Sequence, residues 1–179
     1  TFFRLDVGNS QNIVQRVSDG VLDLGLVTRK IPKKDLDYKM FLKDKIVLGV
    51  YEGHPFYKRD SVFLDEILNE DFIVRDVGAG TRTAVDLALK QKGYDIESLK
   101  AVANFRTSHS VIQGIKSKIG IGFISEMAIN KEVCSGEVKG VAITDLMVEK
   151  EIYLVYNKQK SNKKLLKQFI DFSLNFSNR

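Results

Sequence analysis

The feature that most constrains this chain is a hydrophobic period that switches repeatedly between two residues and three to four. Phe3 to Val7 alternates as a strand does and runs into Gly8-Asn9-Ser10, small polar residues suited to a helix N-cap. Ile13, Val14 and Val17 then mark a short amphipathic helix, which Asp19-Gly20 ends. Val21 to Val27 follows as a strand, with Leu22, Leu24 and Leu26 on one face and Gly25 and Val27 available to the other. Such a strand-helix-strand unit is naturally parallel and right-handed.

The cycle then recurs. After a Pro- and Lys-containing loop at 31–35, the stretches 38–42 and 46–51 read as extended, and Gly53-His54-Pro55 breaks the second, because a residue before proline avoids the helical region. The pattern predicts helices at 63–68, 81–92, 108–117, 126–133 and 163–175, and strands at 72–75, 101–105, 121–124 and 151–156. Alternation of this kind specifies an α/β fold with a mainly parallel sheet. The extended segments 46–51 and 152–156 bracket a middle block large enough for its own small sheet, so two lobes are expected.

With 179 residues, 44% of them hydrophobic, the chain can bury a sizeable core and is not a disordered segment. Its longest apolar runs, such as Ile46 to Val50, fall far short of the roughly 18 residues that cross a bilayer. The opening residues lack the pattern of a secretory signal, so the expected compartment is the cytoplasm, with no membrane partner. One cysteine and two histidines, His54 and His109, offer no cluster for a metal, and Cys134 reads as a packing residue beside Ile129 and Val133. The net charge of +5 is mixed along most of the chain. The lysine-rich tail reads as the solvated back of a helix whose apolar face carries Leu165, Leu166, Phe169, Ile170 and Ser173.

Chemistry concentrates at three strand-to-helix corners. Val77-Gly78-Ala79-Gly80-Thr81-Arg82 is a flexible turn before a helix, where free N–H groups and the positive dipole end can hold an anion and Arg82 can add a fork of donors. The plainer reading is a tight turn with Thr81 as N-cap. No Gly-Lys-Ser/Thr follows, and Thr83 occupies the place of the third small residue of a dinucleotide fingerprint, so nucleotide binding is not expected. Gly8-Asn9-Ser10 and Phe105-Arg106-Thr107-Ser108-His109 are the other corners. Open parallel sheets bind ligands at the carboxyl ends of their strands, which is where all three fall. His109 reads as a hydrogen-bonding or pH-sensitive group or as an ordinary exposed helix residue. Neither a nucleophile elbow nor a serine, histidine and acid set is present, and Asp65-Glu66 suits a solvated helix surface, so no catalysis and no cofactor are expected.

These residues, in this order, make the chain similar to the effector-binding domain of LysR-type transcriptional regulators. The resemblance runs through Val7-Gly8-Asn9-Ser10, Asp19 to Val27, His54-Pro55, Arg75 with Gly78 to Arg82, Ser110-Val111-Ile112, Ile119 to Ser125, and the strand from Glu151 to Tyr156 with its terminal helix. It implies two Rossmann-like lobes joined by two crossover strands, as in the type 2 periplasmic binding proteins, with residues 1–50 and 153–179 in the first lobe and 51–152 in the second. It also implies a small effector in a cleft between lobes, with Asn9, Ser10, Thr28, Gly80, Thr81, Arg82, Ser108 and His109 as the ligand-binding candidates.

The effector is expected to be a small-molecule or inorganic anion, held by helix N–H groups without a buried lysine. A homodimer or homotetramer is implied, with DNA read only through a winged helix-turn-helix that normally precedes this domain and is not in this sequence. The chain departs from the family pattern in beginning at what looks like its second strand. Lys118 also stands where the family commonly has glycine at a helix end, which predicts an adjusted turn there. A periplasmic-type solute-binding protein is the alternative of another class.

Overall fold

The computed structural model describes residues 4–160 and 163–177. Its elements run in the order α1 (Ser10–Ser18), β1 (Leu24–Val27), β2 (Leu36–Tyr51), β3 (Ser61–Val62), α2 (Leu64–Ile67), β4 (Phe72–Arg75), α3 (Gly80–Gln91), β5 (Ala101–Phe105), α4 (Ser108–Lys116), β6 (Gly122–Ser125), α5 (Asn130–Cys134), β7 (Val138–Ile143), β8 (Val148–Asn157) and α6 (Lys164–Ser177). Two compact units result, one of Thr1–Lys43 with Glu151–Arg179 and one of Asp44–Lys150. The chain therefore passes between units twice, once along β2 and once along β8.

In the first unit, residues 4–7 are not a strand, and Phe3 lies outside the described residues. The strand expected from residue 21 begins at Leu24, and it pairs antiparallel with β8, Leu24 opposite Tyr156 and Val27 opposite Tyr153. The face of β1 that carries Gly25 and Val27 is the one α1 covers. Ile13, Val14 and Val17 of α1 pack with Val27 and Val155, whereas Leu26 is 53% exposed. Gly25 makes this packing possible, because a Cβ there would stand 2.4 Å from Ile13 Cγ2. The helix needs the close approach that only glycine permits, and that sets which face of the strand it covers. On the other side, Leu24 packs against Tyr156, Leu166 and Ile170. The apolar stripe of α6 is thus narrower than its sequence suggests: Leu166, Ile170 and Ser173 are buried, while Leu165 and Phe169 are exposed. The Tyr156 hydroxyl donates to Asp37 at 3.0 Å, and burial with that bond pushes its pKa up to about 12.

The separately predicted stretches 38–42 and 46–51 prove to be parts of one strand, β2, which runs from the first unit into the second. The expectation of a mainly parallel sheet fails here. β2 pairs antiparallel with β6 through Val47 and Ile124 and with β7 through Val50 and Lys139, so it is inserted between two strands that run parallel to each other. Periodicity reports which faces are buried and carries no information on direction, so the antiparallel run of β2 is not legible from it. Parallel pairing does join β3 to β7 and β4 to β5, with a parallel bridge from Phe72 to Ile121. The strand β7 had no counterpart in the predicted elements. Around this framework Leu48, Leu64, Ile67, Phe72, Leu89 and Ile121 are at most 1% exposed. Each such side chain contributes about 1.5–3 kcal/mol by leaving water.

Cys134 is exposed, contrary to its expected packing role. It sits on the five-residue α5, none of whose residues is buried, while the apolar contact at that point is made by Ile129 just before it. Helix ends follow one rule in both units. In α1, α3, α4 and α5 the residue after the C-cap donates its N–H back into the last turn and the next residue reaches one position further, as with Gly93 to Lys90 and Tyr94 to Leu89 after α3. This closure puts the residue after the cap in the left-handed region. Gly20, Gly93 and Gly136 fill it with φ between 74° and 84°. At the end of α4 the occupant is Lys118, with φ 60° and the same two bonds, to Ile115 and from Ile119 to Gly114. The turn is not adjusted to the lysine; the lysine takes the glycine conformation.

Candidate ligand-binding site

The corner of the first unit is built by α1 and the end of β1. Asn9 caps α1, accepting the Asn12 N–H at 2.9 Å, as a small polar residue before an amphipathic helix should. Ser10 follows, and its hydroxyl lies 3.3 Å from that of Thr28 and accepts the Thr28 N–H at 3.2 Å. Ser10 and Thr28 thus bond each other, and Asn9, next to Ser10 in the chain, bonds the first turn of α1. Arg16 bridges to Asp6 nearby at 2.5 Å, holding the Asp6 carboxyl below its ordinary range.

The corner of the second unit is different in kind. Gly78 takes φ 86°, turning the chain from β4 into α3. The cap residue of α3 is Ala79, which has no side chain to bond the first turn, so Thr81 is a helical residue rather than the N-cap. Among the described residues, the leading N–H groups of α3, at Gly80, Thr81 and Arg82, therefore have no side-chain capping acceptor. Thr81 is 4% exposed, and its hydroxyl receives the Lys150 ammonium at 3.4 Å. Lys150, on β8, is itself 13% exposed and pairs at 2.9 Å with Asp44 of β2, which is 3% exposed. The other carboxylate oxygen of Asp44 accepts the Ser125 hydroxyl at 2.9 Å. The expectation of an anion site without a buried lysine does not hold for this corner, since a nearly buried cation touches its helix.

Arg82 spends its guanidinium on the Arg75 carbonyl at 3.0 Å and on Glu97 at 2.7 Å, which pins α3 to the end of β4. Arg75 reaches the third corner. Its guanidinium donates to Ser108 Oγ at 2.8 Å and to the Arg106 carbonyl at 2.7 Å, and its buried Nε has no partner among the described residues. Burial pushes the Arg75 pKa down, partly opposed by Asp76. Thr107 rather than Ser108 caps α4, accepting the Ser110 N–H at 3.0 Å, and His109 is exposed. Arg82 and Ser108 thus meet at Arg75, Gly80 and Thr81 precede Arg82 in the first turn of α3, and His109 is exposed.

Arg75, Lys150 and Asp44 are the residues that the choice of candidates missed. Arg75 could have been chosen, as a cation ending a strand directly before a glycine turn. Nothing local marks Lys150 and Asp44, which are joined only by the pairing of distant strands. Among the described residues no group of three or more His, Cys, Asp or Glu side chains could hold a metal, and no helix is long and apolar enough to cross a membrane.

Against this geometry, the profile of the LysR substrate binding domain matches residues 3–177. The chain belongs to that family. Among relatives of this LysR domain, an uncharacterized HTH-type transcriptional regulator of Methanocaldococcus jannaschii, MJ0300, is 31% identical over 170 residues, covering 95% of this chain and 57% of that protein. The transcriptional activator CmpR of Synechocystis is 23% identical over 168 residues, covering 94% of this chain and 54% of its own length. The chain spans about half the length of the curated relatives it matches.

Two solved structures share the fold. The regulatory domain of CcmR from Synechocystis PCC6803, in complex with 2-PG, superposes with a TM-score of 0.83 at 22% identity, covering 97% of this chain and 82% of that one. The effector binding domain of QuiR, in complex with shikimate, gives 0.81 at 20% identity, covering 96% and 79%. The expected architecture, an α/β fold of the type 2 periplasmic-binding-protein kind, is the architecture of this LysR domain. Its matched relatives are transcriptional regulators, so the solute-binding alternative is not favoured.

Proposed function

We propose that this chain is the effector-sensing domain of a cytoplasmic LysR-type transcriptional regulator and that it holds a small carboxylate or inorganic oxyanion. The observation that carries this reading is the uncapped start of α3, with Thr81 buried and the Lys150 ammonium against its hydroxyl. Unpaired helix N–H groups and a desolvated cation both favour negative charge, and they do so most strongly out of bulk water. The related CcmR domain is described with 2-PG and that of QuiR with shikimate, which supports a small polar ligand here.

Gly80, Thr81 and Arg82, with Ser108 and His109 on the neighbouring corner, form one group of contact candidates, and Asn9, Ser10 and Thr28 form the other. Occupancy is transmitted through the geometry of a homodimer or homotetramer to a DNA-reading domain outside this chain. The protein is a sensor and not an enzyme. Mass spectrometry of what co-purifies with the full-length regulator identifies the effector. Calorimetry with that effector should then show Thr81→Ala binding about tenfold more weakly, as expected for one lost hydrogen bond to a charged group, while Lys164→Ala binds as the parent does. Equal affinity in Thr81→Ala would place the site elsewhere.

A further inference from the structure

The ion pair of Asp44 and Lys150 occupies an unusual place in the chain. Asp44 is the first residue of the second unit and Lys150 the last, so the pair sits where both connecting strands enter that unit. Side chains 3% and 13% exposed are desolvated at a cost that their attraction offsets only in good geometry. A hydrophobic pair of similar size would hold two strands together at least as well. The charges therefore call for a role beyond clasping.

Their partners point to it. The ammonium has three donors; one meets Asp44 at 2.9 Å and a second lies 3.4 Å from Thr81 Oγ1. Lys150 thus bridges a buried carboxylate and the first turn of α3, whose leading N–H groups have no side-chain capping acceptor among the described residues. Asp44 is held independently by Ser125, whose hydroxyl donates to it while accepting the Ala128 N–H at 3.2 Å. If the ammonium turned away, the carboxylate would keep one hydrogen bond and stay in place.

We propose that Lys150 is the charge that engages the anionic effector beside Thr81, and that Asp44 is its built-in competitor. This rests on the anion reading of the α3 corner and names the residue that selects for charge there. The effector must draw the ammonium from Asp44, so affinity for a bare anion is held down and binding loosens an ion pair linking β2 to β8 at the boundary of the unit. Occupancy of the corner is thereby converted into a change at the two strands through which the chain leaves it.

The test is calorimetric titration of the 179-residue chain with inorganic phosphate and with sulfate, in the parent, Asp44→Asn, Lys150→Met and the double variant. Asp44→Asn keeps the shape and the Ser125 contact but releases the ammonium, and should bind phosphate on the order of tenfold more tightly than the parent. Lys150→Met and the double variant should bind it at least tenfold more weakly than Asp44→Asn. Thermal unfolding shows whether Lys150→Met is folded; if it is not, the charge-neutral double variant carries the same test. Parent affinity in Asp44→Asn, or Asp44→Asn affinity in the double variant, overturns the proposal. If phosphate binds, is weakened by Thr81→Ala and ignores the Asp44 and Lys150 changes, the corner remains an anion site and only the competitor role falls. If neither the parent nor Asp44→Asn takes up either anion, the corner does not hold an inorganic oxyanion and the competitor role falls.

Discussion

The two strand-to-helix corners look alike in sequence and differ in physics. Asn9 and Ser10 in the first unit, like Gly80 and Thr81 in the second, are small residues at the start of an amphipathic helix, and Thr28 closes the first corner from the end of β1. In the first, every named polar side chain bonds another member of the corner or the backbone of α1. In the second, the cap position is an alanine and the groups that close in are charged, Arg75 from the strand before it and Lys150 from a strand far along the chain. A corner whose donors are already used is a structural joint. One whose donors are unused, beside a desolvated cation, can do chemistry, and the difference is set by tertiary structure rather than by local motif.

The largest effect that separates the corners is the cost of removing one polar partner. Lys150→Met leaves Asp44 buried without its counter-ion and should destabilise the chain by about 3–5 kcal/mol. Thr28→Val removes a hydroxyl from a half-buried hydrogen bond and should cost about 1 kcal/mol or less. Urea unfolding of the two variants gives the comparison directly. Similar losses would mean that the two corners are energetically the same and that the charge network of the second carries no special weight.

That asymmetry also explains what the sequence could and could not reveal. Strands β4 and β5 were predicted to the residue, and α3 and α4 to within one residue at each end, because they combine strong periodicity with local start and stop signals. Strand β7 was missed: Val138 and Val141 alone are buried in it, three residues apart, so it does not alternate as a half-buried strand does. The alternation of β1 separates its two faces without saying which one α1 covers; Gly25 sets that, and its lack of a side chain is the signal. At the site, the polar helix starts were legible from composition alone. The Asp44–Lys150 pair was not, because each residue is an ordinary charge in a mixed stretch until β2 and β8 bring the two together.

A smaller, reciprocal exchange sharpens the comparison. Asn9→Ala removes the cap of α1 and should cost about 1 kcal/mol of stability without altering anion binding. Ala79→Asn supplies α3 with the acceptor it lacks and should gain stability of about the same size. The gain should come with weaker phosphate binding, because the new side chain takes an N–H that the anion would use. Thermal unfolding with and without phosphate reads both quantities. A stabilised Ala79→Asn that binds phosphate as tightly as the parent would show that the first turn of α3 contributes nothing to the site.

The smallest expected effect concerns the other end of the helices, where the two units follow the same rule and one residue breaks it. Gly20 after α1 and Gly93 after α3 take positive φ at no steric cost, whereas Lys118 after α4 holds φ 60° with its Cβ crowded against the backbone. Lys118→Gly should relieve about 1–2 kcal/mol of that crowding. Glycine also enlarges the freedom of the unfolded chain, which returns about 0.4–1 kcal/mol. The net expectation is a modest stabilisation, about 0.5–1 kcal/mol, visible as a slower unfolding rate or a higher midpoint in urea. The lysine also brings its ammonium to 6.0 Å from the Tyr51 ring, a distance at the limit of a cation–π contact on an exposed side chain. Lys118→Ala therefore separates the two contributions: it keeps the backbone crowding and loses the ring contact, and should fall at or slightly below the parent. A glycine variant no more stable than the alanine variant would mean that the bonds to Ile115 and Gly114 compensate the left-handed turn in full, and that helix ends, unlike helix starts, do not distinguish one part of this molecule from another.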